Sequence, residues 1–211
     1  AIEGARADAL FVLQLGDLTD RGPDDVGALR LMLDLLDAGD GAFLLGNHDR
    51  RLLRALAGEQ VKRGHGLDET LAALESAPDL VPRVIAVIRA APAWLSRPGQ
   101  IFVHGALHPA MLVEDSPPDA HAMRGGPIAR ALFGETTGRT RANGMPERLY
   151  DWVERIPAGL TVYCGHDVMT EDGRPLVRQG AAGGRAVFVD TGAGKGGHLS
   201  WIDLPREGGA F

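Results

Sequence analysis

"LQLGDLTDRGPDD", residues Leu13–Asp25, runs an apolar segment into a glycine and then into a cluster of charge. The segment Ala9–Leu15 is almost continuously apolar, as expected of a strand covered on both faces. It stops at Gly16-Asp17, and Asp20, Arg21, Asp24 and Asp25 follow. Acids and a base at the mouth of a buried strand contribute little to packing, so their chemistry is the first thing to account for. Pro23 opens a helix, Asp24 and Asp25 suit its positive end, and Leu29, Met32, Leu33 and Leu36 recur at helical spacing to about Ala38.

The same arrangement recurs downstream. "AFLLG" (Ala42–Gly46) is a second short strand, and "NHDRRLLRALAG" turns from it into a helix that Gly58 stops. The pattern from Leu67 to Leu95 is helical and is punctuated by Pro78, Pro82 and Pro92. "QIFVHG" (Gln100–Gly105) is a third strand, residues 107–127 read as a surface loop, and a short helix spans Pro127–Phe133. "GLTVYCGH" (Gly159–His166), "RAVFVDTG" (Arg185–Gly192) and "GHLSWIDLP" (Gly197–Pro205) complete six strands. Strands mixed with helices make an α/β domain.

Four of these strands end in a glycine beside a metal-ligand type: Gly16-Asp17, Gly46-Asn47, His104-Gly105 and Gly165-His166. Ligands of α/β sheets bind beyond the carboxyl ends of strands, so Asp17, Asn47, His104 and His166 are expected to reach one spot. One carboxylate, one amide oxygen and two imidazoles suit Mn, Fe or Zn better than Ca or Mg, and the lack of a thiolate argues against a closed structural zinc site.

"GDLTDRG" (Gly16–Gly22), "GNHD" (Gly46–Asp49), "HG" (His104-Gly105) and "GH" (Gly165-His166) together resemble the calcineurin-like metallophosphoesterases. Within them, the order GD-x-x-DRG…GNH[DE]…HG…GH resembles the phosphoprotein-phosphatase branch. The resemblance runs from about residue 10 to 203. "ALFGETTGRT" (Ala131–Thr140) and "DTGAGKGG" (Asp190–Gly197) are similar to the phosphatase module of bacterial polynucleotide kinase-phosphatases and to bacterial dinucleoside tetraphosphatase-like proteins. The implied fold is a four-layer α-β-β-α sandwich with two mixed sheets. The implied cofactors are two divalent ions clamping an in-line displacement at phosphorus, with a metal-bound hydroxide as attacking group. Carried over by position, Asp17 bridges the ions and Asn47, His104 and His166 complete the ligands of the second ion. Arg21 and Asn47 contact the phosphoryl group, His48 is general acid for the leaving oxygen, and Asp20 orients it.

One motif of the family has no counterpart. No D-x-H-G precedes Gly16, and "AIEGARADA" (Ala1–Ala9) reads as the tail of the helix that follows that motif. The expectation is a single domain over 1–211, N-terminally incomplete and lacking its first strand, with one ion or two. The substrate is then a phosphate monoester on protein, with a dinucleoside polyphosphate or a polynucleotide end as the alternative. An inactive or one-metal phosphate-binding module is the reading from another class.

The totals agree with this picture. An apolar fraction of 45% describes a globular protein rather than a disordered one. A net charge of −6 argues against non-specific nucleic-acid binding and anionic membranes. No apolar run reaches the ~18 residues of a membrane helix and no secretory leader is read. Cys164 is the one cysteine, which excludes an internal disulfide and points to a reducing, cytoplasmic setting. Among weaker signals, His65 reads as a loop or cap residue, and His108, His121 and His198 as surface or strand residues. Glu135–Gly138 reads equally as a substrate loop or a turn. Asp190 is a candidate support for His166, Lys195 lies in a glycine-rich turn that is no P-loop, and Cys164, Trp94, Trp152 and Trp201 read as packing residues.

Overall fold

The computed structural model describes residues 10–142 and 144–205. The start of the first strand at Ala9 and the reading of Ala1–Ala9 as a helix tail lie outside them. The chain alternates β1 (Val12–Gln14), α1 (Asp25–Ala38), β2 (Gly41–Phe43), α2 (Asn47–Leu56), α3 (Leu67–Glu75) and α4 (Val81–Ala90). Then come β3 (Trp94–Arg97), β4 (Gln100–Val103), α5 (Gly126–Phe133), β5 (Glu135–Thr140) and β6 (Pro146–Leu149). The last strands are β7 (Thr161–Cys164), β8 (Leu176–Gln179) and β9 (Arg185–Phe188).

Strands β1 and β2 pair in parallel through the α1 crossover, with Leu13 opposite Ala42. The larger sheet has the order β3-β4-β7-β9-β8. Its centre, β4, β7 and β9, is parallel, and β3 and β8 are antiparallel edges. Pro98 and Gly99 alone join β3 to β4, and Gly99 takes the left-handed φ of 70° that so tight a hairpin demands.

Side-chain alternation sets the layers. Leu13, Leu15 and Leu44 pack against Phe102, Tyr163 and Val187 of the larger sheet, forming a core between the two sheets. The rings of Phe102 and Tyr163 stack there at 5.0 Å. Residues of the opposite phase, Val12, Phe43 and Leu45, join Leu29, Met32, Leu52 and Leu53 of α1 and α2 in the main core. On the far side of the larger sheet, Phe188 meets Tyr150 and Trp152. The α/β sandwich expected from sequence is present, and its parallel strands turn their carboxyl ends to one edge.

Local chemistry accounts for the boundaries. Asp24 caps α1 by accepting from the Gly27 amide at 2.8 Å, which leaves Pro23 just outside the helix, and Gly39 ends it at φ 71°. Pro92 halts the helical pattern, so Trp94 and Leu95 lie in β3 instead of a helix. Two further features had no sequence counterpart: the hairpin β5–β6, built where a turn or substrate loop was expected, and the edge strand β8. The sixth expected strand, Gly197–Pro205, does not form. Strand β8 occupies the sheet edge beside β9, and only His198 bridges back to Thr191 and Gly192. Ile202 and Leu204 still bury apolar surface against the inter-sheet core, which is what their alternation reflects.

Candidate metal centre and active site

Gly16 ends β1 at φ 89°, and a Cβ there would lie 2.7 Å from Gly46 and 2.8 Å from Nδ1 of His104. Only glycine lets the two strand-end loops and the imidazole come so close. Asp17 follows in the left-handed region (φ 57°). Its loop is held by Asp49, whose Oδ2 accepts from the amides of Asp17 (2.7 Å) and Gly46 (2.8 Å) and whose Oδ1 accepts from Leu18 (3.1 Å). The His48 amide, in the first turn of α2, donates to Asp17 Oδ1 at 2.8 Å, where the helix dipole favours a carboxylate.

Four predicted ligands converge. His104 is 1% exposed, and its Nδ1 lies 2.8 Å from the carbonyl of Leu15, an acceptor only, so Nδ1 carries the proton. Nε2 therefore turns to the site, 3.1 Å from Asn47 Oδ1, 3.3 Å from Asp17 Oδ2 and 3.0 Å from His166 Nδ1. The donor atoms of Asp17, His104 and His166 all lie within 4.8 Å of one another. Asn47 is set by its place at the start of α2, and His166 by a left-handed backbone (φ 64°) beyond β7.

Electrostatics mark the same point. Burial alone would raise Asp17, but the charge of His104 holds its carboxyl well below the usual range. Burial alone would lower His104, but Asp17 raises it, and burial together with the charge of His104 pushes His166 well down. Oxygen and nitrogen lone pairs directed at one another repel unless a cation lies among them. A mixed carboxylate, amide and imidazole set fits a divalent transition metal at that point.

Beside this centre, Asp20 Oδ2 accepts from His48 Nδ1 and, at 2.6 Å, from Arg51. The free Nε2 of His48 lies 4.0 Å from Asp17 Oδ2, so the ring bridges the Asp20 carboxylate and the ligand cluster. Arg21 is exposed at φ 65°, with its side chain against the turn at Gly194. Together with Arg51 and Lys62, it exerts positive charge on His65.

Several functional neighbours escaped the sequence reading. Asp49 was in plain view within "GNHD", yet only its three amide contacts reveal what it does. Arg148, on the unforeseen β6, lies 2.6 Å from His166 Nε2 and pairs with Asp167 at 3.1 Å. It takes the position considered for Asp190, whose Oδ1 instead accepts from the Gly192 amide. Thr70, Asp25 and Arg51 carried no motif signal. His108 caps a 3-10 turn, accepting from the Ala110 amide, and His198 pairs with Thr191. Trp94, Trp152 and Cys164 are buried, whereas Trp201 is 62% exposed.

A model of the calcineurin-like phosphoesterases matches residues 2–170. The bis(5'-nucleosyl)-tetraphosphatase PrpE (asymmetrical) of Geobacillus thermodenitrificans is 31% identical over 201 residues, covering 91% of this chain and 74% of that protein. The proteins of the same name from Halalkalibacterium halodurans and Bacillus subtilis are each 28% identical, covering 94% and 90% of this chain and 77% and 74% of their own lengths. No described helix is long and apolar enough to cross a membrane.

Proposed function

Because this chain belongs to the calcineurin-like phosphoesterase family, we propose that its strand-end cluster is the centre of a metal-dependent phosphoester hydrolase whose substrate is a dinucleoside polyphosphate. The observation that carries the reading is the convergence of Asp17, Asn47, His104 and His166 directly beside the Asp20–His48 pair. A divalent ion of the Mn, Fe or Zn type, held by those four residues, supplies Lewis acidity and positive charge at the phosphoryl group.

The chain's own groups do the remainder. His48 presents Nε2 toward the site and delivers a proton to the leaving phosphate oxygen as the phosphoanhydride bond breaks, while water adds to phosphorus and gives up a proton to solvent. Asp20 fixes the ring through Nδ1, so that Nε2 rather than Nδ1 faces the substrate. Arg21 offers a planar fork to phosphoryl oxygens, and the amide of Asn47 adds a neutral donor. Two observations support a polyphosphate over a monoester. The relatives bear that substrate in their names, and Arg21 stands exposed next to Asp20, its positive charge paired with none of the carboxylates named above. Phosphate monoesters, on protein or at polynucleotide ends, are the second reading, supported by the phosphoprotein-phosphatase order of the motifs.

The test is product analysis with Mn²⁺ and three substrates: diadenosine tetraphosphate, p-nitrophenyl phosphate and a phosphoserine peptide. Metal-dependent release of mononucleotides should be fastest, and His104→Ala should abolish both turnover and Mn²⁺ binding. Faster release of phosphate from the peptide would move the substrate to the monoesters. No metal-dependent cleavage of any of the three, or equal Mn²⁺ binding by His104→Ala, would reject the site.

A further inference from the structure

We infer that Asp25 and Thr70 are positioning residues for the Asp20–His48 pair, arranged as a one-way hydrogen-bond chain in which Asp25 holds a proton. This rests on the role of His48 proposed above. Asp20 is 8% exposed, Asp25 7% and Thr70 not at all. The Asp20 amide donates to Asp25 Oδ1 at 3.0 Å. The Thr70 hydroxyl lies 2.7 Å from Asp20 Oδ1, 2.9 Å from Asp25 Oδ2 and 3.0 Å from the Gly66 carbonyl.

A count of protons gives the direction. A threonine hydroxyl has one hydrogen and two lone pairs, and an ionised carboxylate has no hydrogen. With both acids ionised, three acceptors would surround a single donor, and two contacts would be repulsive in a site sealed from water. One proton on Asp25 resolves the clash between the two acids, and the Gly66 carbonyl can only share the Thr70 hydrogen. Asp25 donates to Thr70, Thr70 donates to Asp20 Oδ1, and Asp20 Oδ2 is left for His48 and Arg51. Of the two acids Asp25 is the one to hold it: Asp20 already accepts from His48 and Arg51. Burial and the nearby charge of Asp20 push Asp25 up, while hydrogen bonds from His48, Thr70 and Arg51 outweigh burial and lower Asp20.

The backbone needs the same support. Asp20 and Arg21 sit at φ 75° and 65°, a strained region for a residue with a side chain. The start of α3 presses on them: a Cβ at Gly66 would lie 2.4 Å from the Arg21 amide nitrogen and 2.7 Å from Asp20 Cβ. Asp25 thus fixes the Asp20 backbone by one oxygen and, through Thr70, its carboxylate by the other.

The test uses full-length Thr70→Val, Thr70→Ser, Asp25→Asn and Asp25→Ala with two esters. Phenyl phosphate needs an acid for its leaving oxygen, and p-nitrophenyl phosphate needs it far less. Misalignment of a general acid should lower kcat about tenfold on phenyl phosphate in Thr70→Val, with a much smaller loss on p-nitrophenyl phosphate and unchanged Mn²⁺ binding. Thr70→Ser should recover most of the loss. Asp25→Asn, which still donates to Thr70 and accepts from Asp20, should lose several-fold less than Asp25→Ala. Equal losses on both esters overturn the positioning role, and an Asp25→Asn as damaged as Asp25→Ala overturns the proton. A separate readout needs no turnover. The downfield His48 Nδ1 proton resonance should move in Thr70→Val, and an unmoved resonance refutes the chain. A moved resonance in a protein inactive on both esters and on diadenosine tetraphosphate would uphold the chain and reject the acid role of His48.

Discussion

Replacing Gly46 with alanine adds one methyl group at the point where the two strand-end loops meet. Its backbone is extended (φ −97°, ψ 171°), so the new residue suffers no conformational strain. The clash is purely one of space. The Cβ would sit 2.3 Å from the Asp17 nitrogen, 2.4 Å from Asp17 Oδ1 and 2.7 Å from Asp49 Oδ2. An ordinary contact needs about 3.4 Å, so Asp17 and its amide must retreat by about 1 Å. That motion stretches the bonds from Asp49 and from the His48 amide, and it withdraws Oδ2 from His104. Overpacking of this sort costs about 1–3 kcal/mol, or roughly 3–10 °C in Tm for a chain of this size. A ligand misplaced by about 1 Å costs on the order of a hundredfold in turnover. Calorimetric titration with Mn²⁺, thermal melting and steady-state kinetics read the three effects. Gly22→Ala is the control for metal affinity and folding, since its Cβ would meet nothing nearer than Asp25 Oδ1 at 3.8 Å. Wild-type Mn²⁺ affinity in Gly46→Ala would refute the argument that this glycine sets the position of Asp17.

Three further outcomes are expected. His48→Asn should lose about a hundredfold on phenyl phosphate and much less on p-nitrophenyl phosphate, and equal losses would remove the acid role. In the metal-free protein Asp17 holds His104 above its ordinary value of 6.5, despite burial, so the stabilisation is complete below about pH 6.5 and fades as pH rises through the raised value. The stability of wild type minus that of His104→Gln, measured in chelator, should therefore fall as pH rises above about 6.5, and a flat or rising difference would contradict the pairing. Cys164 is fully buried and burial pushes its thiol up, so disulfide reagents should label it only at the rate of global unfolding; rapid labelling of the native protein would contradict this packing.

The centre was legible because its ligands carry local signatures. Each lies at a place where an apolar run meets a glycine, and Gly16 and Gly46 are needed for approaches that no Cβ permits. The supports were not legible, because they act across the fold. Thr70 lies fifty residues from Asp20 on a helix whose periodicity records only its buried face. Arg148 lies on a hairpin with little apolar alternation, where pairing depends on the partner strand and not on composition. The segment Gly197–Pro205 failed in the opposite sense. Its alternation is real and buries Ile202 and Leu204, but alternation records burial and says nothing about whether a ladder partner is available.

The ligand spacing has a kinetic consequence. Asn47 and His104 are 57 residues apart, His104 and His166 a further 62, and each lies beyond a different strand. Bringing them together requires the parallel pairing of β4 with β7 and the docking of the two sheets, the non-local steps that such topologies complete slowly. An ion held by the four proposed ligands would therefore find them only once folding is nearly finished, and could not serve as a nucleus. Its binding energy would belong to the native state and be absent from the folding barrier. Saturating metal should leave the refolding limb of a denaturant chevron where it was and lower the unfolding limb alone. What an ion at the proposed site would give this architecture is persistence, a longer lifetime of the folded state, with no gain in the speed of reaching it.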